Sequence, residues 1–303
     1  MWFFKKRDIS MKQRILTSLG IGLVGIPIIL FSEYIVYPIF LGLLSAIGVW
    51  ELLRVFGLHK RYEVSVPSYL ISALLPVFAH STFTGTDQSG YLLITAAVLF
   101  GFLLYLAATC VFGKEIAIKR GKSADAENGQ RMLLFGDVAA IFLSVTYVTV
   151  SFTAMSLTRY MQNGVYIFGL VFIVAWMCDI FAYFTGRLFG KHKLAPHLSP
   201  KKTVEGSIGG IVFATLGCML YGFIIEKAAG FEARYLVLAL IGLVLSVISQ
   251  IGDLWASLIK REHNIKDYSQ MLPGHGGVMD RFDSILAIST VLMAVCMLFP
   301  PFA

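Results

Sequence analysis

Residues 91–112 read YLLITAAVLFGFLLYLAATCVF, a run of 22 residues without a charged side chain. A helix of that length is about 33 Å long at 1.5 Å per residue, enough to cross the hydrocarbon core of a bilayer. The run is apolar on every face, whereas a strand of a membrane β-barrel would alternate over about 10 residues. It therefore predicts a transmembrane α-helix, which satisfies its backbone polar groups internally.

Similar runs recur along the whole chain, which is 57% hydrophobic and 14% charged, with a mean hydropathy of +0.76. Soluble domains are only about 45–50% apolar, so this composition excludes a soluble globule. The sequence predicts an all-α, polytopic membrane helical bundle with nine spans, at about 15–32, 34–56, 66–80, 91–113, 137–158, 165–186, 207–226, 234–256 and 282–300. The third span is short and contains Pro67 and Pro76, so a re-entrant helix is an alternative there.

The distribution of positive charge predicts the orientation of these spans. If the N-terminus is cytoplasmic, only Arg159, Lys227 and Arg234 lie outside, which leaves 22 of the 25 Lys and Arg on the cytoplasmic side. This positive-inside bias favours a cytoplasmic N-terminus and an external C-terminus. Because the basic residues lie between spans and not on a soluble face, the net charge of +7 does not indicate a nucleic-acid partner.

A polar stretch at residues 114–136 divides the sequence into two parts. Residues 1–136 are predicted to form an N-terminal membrane scaffold that ends in this flexible cytoplasmic loop, and residues 137–303 a C-terminal membrane catalytic region. Few polar side chains interrupt the spans of the first part. Glu33 and Glu51 lie near predicted span ends and are expected to reach the membrane interface.

Asp179 is the first charged side chain that lies well inside an apolar span. A carboxylate at that depth costs about 2.5–3.5 kcal/mol on insertion scales unless something compensates it. Asp179, Tyr183 and Gly186 share one helix face by their spacing. A helix–helix hydrogen bond or a structural ion pair is the alternative explanation for Asp179.

A segment rich in lysines, hydroxyls and glycines follows and leads into the next span. Ser199, Lys201, Lys202 and Thr203 come just before the predicted helix start, where free N–H groups and the helix dipole attract anions. Alternatively, the two lysines only enforce topology or touch anionic lipid. The eighth span then carries a polar stripe toward the same side, formed by Ser246, Ser249, Gln250, Asp253, Ser257 and Lys260.

The loop after the eighth span has the densest set of candidate site residues. Its turn, Pro273-Gly-His-Gly-Gly277, permits unusual backbone angles and close approach of a ligand to the chain. Asp280 and Asp283 follow on one face at the start of the last span. Helix capping is one explanation for them, but two carboxylates near Asp253 are also typical of a Mg²⁺ site shared with substrate phosphates.

Residues 257–283 match the pattern S-x-x-K-R-x4-K-D-x5-P-G-H-G-G-x-x-D-R-x-D at every fixed position and so resemble the phosphatidate cytidylyltransferase (CDP-diacylglycerol synthase) family. Ser199-Pro-Lys-Lys-Thr203 and Gln250-Ile-Gly-Asp253 also look like this family. The resemblance implies Mg-dependent transfer of CMP from CTP to phosphatidate, giving CDP-diacylglycerol and pyrophosphate in phospholipid biosynthesis. It also implies a homodimer in the bacterial plasma membrane, with the active site facing the cytoplasm.

Each candidate residue has an expected role under this resemblance. Asp253 and Asp280 are expected to hold Mg²⁺, with Asp283 as a third ligand or as a residue that supports the ligands. The number of metal ions, one or two, is left open. Lys266 is expected to take part in catalysis. The residues expected to bind the phosphates of CTP and of the lipid are Ser199, Lys201, Lys202, Thr203, Lys260, Arg261, His275 and Arg281. Asp179 is expected to orient a cation or to pair with a lysine, and His275 has a structural role in the turn as its alternative. No side-chain base is required, because the substrate phosphate is itself the nucleophile.

Three other classes of protein share some of these features. A transporter would also place aspartates in the membrane, but two matched halves are absent and the polar residues crowd at one face. A CDP-alcohol phosphotransferase needs D-G-x-x-A-R, and no Asp-Gly pair occurs in the chain. A lipid or polyprenol kinase that uses CTP is left open.

Overall fold

The structure, a computed structural model, describes residues 32–82, 89–119 and 132–303. These residues form eight long helices and one hairpin of two short strands. The helices are α1 (Val36–Val55), α2 (Tyr62–Thr82), α3 (Ser89–Lys119), α4 (Phe135–Tyr160), α5 (Gly164–Phe189), α6 (Val204–Ala229), α7 (Tyr235–Glu262) and α8 (Met279–Leu298). The strands, β1 (Lys193–Ala195) and β2 (Ser199–Thr203), lie between α5 and α6.

All eight of these helices are long and apolar enough to cross a membrane. This confirms the predicted polytopic helical bundle and makes the chain an integral membrane protein. The helices correspond to the second through ninth predicted spans. The first predicted span, at about 15–32, lies outside the described residues except for Ser32, so the total of nine and the cytoplasmic N-terminus stay predictions.

Helix α2 is longer than the span predicted at 66–80, because it runs over 21 residues from Tyr62 to Thr82. Pro67 lies inside it and has no N–H group to donate to the carbonyl oxygen of Glu63, one turn earlier. The hydroxyl of Tyr105, on α3, donates a hydrogen bond to that oxygen instead. The helix therefore continues through the proline and is long enough to cross a membrane.

Helix α4 connects the two parts of the bundle, since it packs against α1, α2 and α8. The contact with α1 and α2 contains buried hydroxyl groups. Thr149 of α4 donates to the hydroxyl of Ser72 at 2.8 Å, and Ser45 donates to Thr149 at 3.5 Å. Buried residues of the first part therefore form hydrogen bonds with a residue beyond position 136. The division of the chain into two domains stays a prediction.

Three of the segments that were predicted to be cytoplasmic lie together at one end of the bundle. The rings of Phe56 and His263, at the C-terminal ends of α1 and α7, lie 5.1 Å apart between centroids. Arg261 donates from Nε to the carbonyl oxygen of Leu198, in the hairpin, at 3.3 Å. We call this end, which comprises residues 56–61, 190–203 and 263–278, the polar end.

Candidate active site

The hairpin turns the chain from α5 into α6 and sets the start of α6. Strand β2 pairs antiparallel with β1, so that Ser199 lies opposite Ala195. Thr203 is the N-cap of α6, and its hydroxyl accepts a hydrogen bond from the N–H group of Gly206 at 3.1 Å. A Cβ atom on Gly206 would lie 2.6 Å from the carbonyl oxygen of Ala182, so glycine is needed for α5 and α6 to approach this closely.

A cavity of about 240 Å³ lies between α5, the hairpin and the first turn of α6. Four predicted site residues line it, namely Asp179, Lys201, Lys202 and Thr203. Tyr183 and Gly186, which were predicted to share a helix face with Asp179, line it as well, together with Arg187. The guanidinium of Arg187 donates to the hydroxyl of Tyr183 at 3.2 Å. Arg187 was not among the predicted ligands, although it directly follows the Asp179–Gly186 face in sequence.

Helix α7 contributes two residues of its polar stripe beside this cavity. The carboxylate of Asp253 forms an ion pair with the ammonium of Lys202, and about a quarter of each side chain is exposed. Gln250 accepts a hydrogen bond from the hydroxyl of Ser207 and donates to its carbonyl oxygen at 3.3 Å. The stripe therefore faces the start of α6, and the pairing of Lys202 with Asp253 joins two residues that were predicted to share one site.

Asp253 also lies within electrostatic reach of Asp179 and Asp283. The approach of α7 to α8 is close here, since a Cβ atom on Gly252 would lie 2.9 Å from the carbonyl oxygen of Asp283. Oδ1 of Asp283 accepts a hydrogen bond from the N–H group of Ser284 at 2.8 Å. Its Oδ2, like Oδ1 of Asp253, has no hydrogen-bond partner within the described residues.

The donor chemistry of these two carboxylates is compatible with Mg²⁺ that is shared with substrate oxygens. Among residues 32–82, 89–119 and 132–303, no three His, Cys, Asp or Glu side chains are grouped closely enough to hold a metal ion. Mg²⁺ commonly takes only one or two carboxylates from the protein, with phosphate oxygens and water in its remaining positions. Asp253 and Asp283, each with a carboxylate oxygen that no described group engages, match that requirement.

Asp280 is held differently, because both of its carboxylate oxygens are engaged and only 4% of the side chain is exposed. Oδ1 pairs with the ammonium of Lys260 at 2.9 Å. Oδ2 accepts hydrogen bonds from the N–H groups of Tyr268 at 2.7 Å and Gly277 at 3.0 Å. This arrangement favours a structural role for Asp280, which holds Lys260 and the loop before α8, over the predicted metal-ligand role.

Tyr268 and Lys260 support the loop from the side of α7. The ammonium of Lys260 lies 5.3 Å from the centroid of the Tyr268 ring, and the hydroxyl of Tyr268 donates to the carbonyl oxygen of Ala256 at 3.0 Å. Burial, and then the nearby carboxylate of Asp280, raise the pKa of the Tyr268 phenol. Tyr268 is therefore a neutral donor and packing surface at physiological pH, and not a candidate base.

Other predicted ligands lie at the edge of the site. Three of them are exposed at the polar end or beside it, namely Arg261, Lys266 and Arg281. His275 lies in the glycine-rich turn, where Gly274 and Gly276 have φ angles of 79° and 80° that side chains rarely adopt. The structure does not bring these four side chains to the cavity, and their roles stay predictions.

Glu51 of α1 belongs to this region, and the expectation that it reaches the membrane interface was wrong. It is 0% exposed, and its carboxylate accepts hydrogen bonds from the hydroxyl of Ser269 at 2.5 Å and from the N–H groups of Val278 at 3.0 Å and Met279 at 2.8 Å. The loop after α7 folds over the end of α1 and covers it. Glu33, in contrast, is 73% exposed and pairs with Arg159 at 3.4 Å, as expected of a residue at a span end.

The apolar helices bring lysines, aspartates and a helix N-terminus together at one end of the bundle. This arrangement is that of a membrane enzyme for phosphate-bearing substrates. The sequence model described as the cytidylyltransferase family matches residues 12–299, and the chain belongs to this family. The match confirms the predicted family and the predicted type of enzyme, a nucleotidyltransferase.

Proteins named phosphatidate cytidylyltransferase are similar to this chain over almost its whole length. The one from Bacillus subtilis (strain 168) is 33% identical over 293 residues, which cover 96% of this chain and 99% of the relative. The one from Staphylococcus haemolyticus (strain JCSC1435) is 32% identical over 282 residues, with coverages of 93% and 97%. The one from Staphylococcus aureus (strain COL) is 31% identical over 283 residues, again with coverages of 93% and 97%.

Proposed function

We propose that this chain is a phosphatidate cytidylyltransferase, which transfers CMP from CTP to phosphatidate and gives CDP-diacylglycerol and pyrophosphate. One observation carries the proposal: Lys202, which lines the cationic cavity, forms an ion pair with Asp253, one of the two candidate metal ligands. The similarity to relatives that bear this name over nearly their full length supports the choice of substrates.

The cavity supplies what two phosphate-bearing substrates need in order to approach each other. Lys201, Lys202 and Arg187 bring positive charge to its walls, and α6 points its N-terminus toward the same space. Fixed cations and helix N–H groups stabilise phosphate charge, and they stabilise it most where it develops during transfer. Lys202 would exchange the carboxylate of Asp253 for a substrate phosphate, since an ion pair that is partly exposed to water contributes little stability.

The residues of this chain need not remove a proton in this reaction. A phosphate monoester has a second pKa of about 6, so the phosphate of the lipid is largely dianionic at neutral pH and attacks as it is. The work of the site is therefore to neutralise charge and to hold the attacking oxygen, the α-phosphate and the leaving pyrophosphate in line. Lys260, Arg261, Lys266, His275 and Arg281 stay predicted donors for this task.

We infer that Asp253 and Asp283 hold Mg²⁺, in a number of ions that stays open. Bound Mg²⁺ would neutralise phosphate charge and orient the transferring group. Asp280 would have to release Lys260 or the loop N–H groups to bind a metal ion, so we assign to it the ordering of the loop. Asp179 lines the cavity within electrostatic reach of Lys202, which supports its proposed pairing with a lysine.

We place the polar end on the cytoplasmic side of a bacterial plasma membrane. The charge distribution supports this orientation, because 22 of the 25 Lys and Arg fall on that side. CTP is a cytoplasmic solute, whereas the lipid reaches the same end from within the bilayer. The homodimer implied by the family resemblance stays a prediction.

The release of pyrophosphate from CTP tests the proposed function. Purified protein in mixed micelles with Mg²⁺ and CTP is expected to release pyrophosphate only when phosphatidate is present. Diacylglycerol, which lacks the phosphate nucleophile, serves as the matched control and is expected to support no release. Release that is independent of phosphatidate, or that occurs equally with diacylglycerol, would contradict the proposal.

A further inference from the structure

Helix α8 begins without a capping side chain of its own. Its N-cap residue is Val278, which has helical backbone angles and offers no side-chain acceptor. The first N–H groups of any helix lack partners within the helix and need acceptors from elsewhere. The carboxylate of Glu51, on α1, supplies them by accepting from the N–H groups of Val278 and Met279. The start of α8 is thus capped by a residue that is distant in the sequence.

The same carboxylate also holds the loop that precedes α8. Glu51 accepts a hydrogen bond from the hydroxyl of Ser269, and a Cβ atom on Gly277 would collide with its Oε1 oxygen. Asp280 accepts from Tyr268 and Gly277 on the other side of the loop. Glu51 and Asp280 therefore divide the N–H groups of residues 277–279 between them, and together they fix the loop that contains the glycine-rich turn.

The position of α8 bears directly on the proposed metal site. Asp283 lies one turn after the start of the helix and contributes an oxygen that no described group engages. Because a helix moves as a rigid unit over one turn, a rotation or shift at Met279 moves the Asp283 carboxylate by a similar amount. A displacement of about 1 Å among the groups that position the reacting atoms can lower the rate of the reaction by about a hundredfold.

We propose that Glu51 is a positioning residue for cytidylyl transfer, which acts from the N-terminal scaffold by fixing the start of α8 and the loop at residues 268–279. It touches neither substrate nor metal; it sets where Asp283 and the glycine-rich turn lie. The effect on the reaction rests on the proposed function, whereas the effect on the loop does not.

Glu51→Gln tests this proposal because it keeps the size of the side chain and replaces one acceptor oxygen by an NH2 group. That group cannot accept from Val278 or Met279 N–H, so one of these bonds is lost and two donors face each other. We expect kcat per folded molecule to fall about a hundredfold, while the KM for CTP changes by less than about threefold. Deuterium exchange of the amides at 277–280 is expected to accelerate about tenfold or more.

Glu63→Gln is the matched control, since Glu63 lies at the same end, is 43% exposed and, among the described residues, pairs with Arg61 at 2.8 Å. It is expected to keep wild-type kcat and exchange. Gly277→Ala provides an independent variant in case Glu51→Gln does not fold, because its Cβ displaces the Glu51 carboxylate without changing it. It is expected to give the same loss of kcat and the same faster exchange.

Two results would overturn the proposal. One is wild-type kcat and wild-type exchange in folded Glu51→Gln or folded Gly277→Ala. The other is a loss of activity that only follows the loss of folded protein, with unchanged kcat per folded molecule. If the wild-type protein shows no phosphatidate-dependent transfer, the proposed function fails by itself, and the exchange data still decide whether Glu51 holds the loop.

Discussion

Asp280→Asn separates loop ordering from metal binding at the start of α8. The amide oxygen can keep the two hydrogen bonds that Oδ2 accepts from Tyr268 and Gly277, but the NH2 group replaces Oδ1 and faces the ammonium of Lys260. Removing one partner of a buried ion pair costs about 3–5 kcal/mol. Lys260 is 15% exposed, so we expect a loss near the lower end of that range and a lower midpoint of thermal unfolding.

Turnover of the folded Asp280→Asn protein is expected to fall about a hundredfold, because Lys260, a predicted phosphate donor, loses the carboxylate that holds its ammonium in place. The Mg²⁺ concentration for half-maximal activity should stay within about twofold of the wild-type value, since Asp280 is not assigned as a ligand. Asp253→Asn and Asp283→Asn should each raise that concentration clearly. Adding Lys260→Met to Asp280→Asn removes the unpaired cation, and it should restore much of the unfolding midpoint but not the turnover.

The assay is product formation by purified variants across a Mg²⁺ titration, with rates expressed per folded molecule. Near-normal turnover of Asp280→Asn at ordinary Mg²⁺ would refute the reasoning that Asp280 orders the site. A Mg²⁺ requirement raised as far as in Asp253→Asn would instead show that Asp280 is a metal ligand, as the sequence pattern predicted.

Two further predictions concern the cavity and the orientation of the chain. Lys202→Met is expected to raise the KM for CTP or phosphatidate by about tenfold or more, because a hydrogen bond to a charged group contributes about 1.5–3 kcal/mol. Lys60→Met, at an exposed lysine of the same end, is the control. An equal rise in KM in this control would count against a phosphate site at Lys202. In a variant without the four native cysteines, Lys60→Cys and His197→Cys should react with a membrane-impermeant thiol reagent only from the cytoplasmic side, and Lys227→Cys only from outside. The reverse labelling pattern would contradict the proposed orientation.

The spans were predictable because each one is a local property of the sequence. The run at 91–112 lies within α3, since lipid requires an apolar surface on every exposed face and a helical backbone. The length of α2 was not predictable from Pro67, because the carbonyl oxygen that the proline leaves unpaired is satisfied by Tyr105, on another helix. Secondary-structure propensity depends only on residues that are near each other in sequence. The hydrogen bond of Tyr105 joins two different helices, so propensity does not reveal it.

The same distinction applies to the site. The spacing of Asp179, Tyr183 and Gly186 predicted one helix face, and all three line the cavity. A carboxylate near the end of a span, in contrast, gives no local signal of its partners. Glu51 bonds to Ser269, which is 218 positions later in the chain, and only the packing of the loop over α1 brings them together.

The destination of the phosphates of CTP tests the central claim most directly. CTP labelled at the α-phosphate, incubated with the protein, Mg²⁺ and phosphatidate, should transfer its label to a lipid-extractable product, whereas label at the γ-phosphate should appear only in pyrophosphate. This outcome requires that the bond between the α- and β-phosphates breaks, as in cytidylyl transfer. Transfer of the γ-label to lipid, with the α-label retained in a soluble nucleotide, would identify a CTP-dependent lipid kinase and contradict the account.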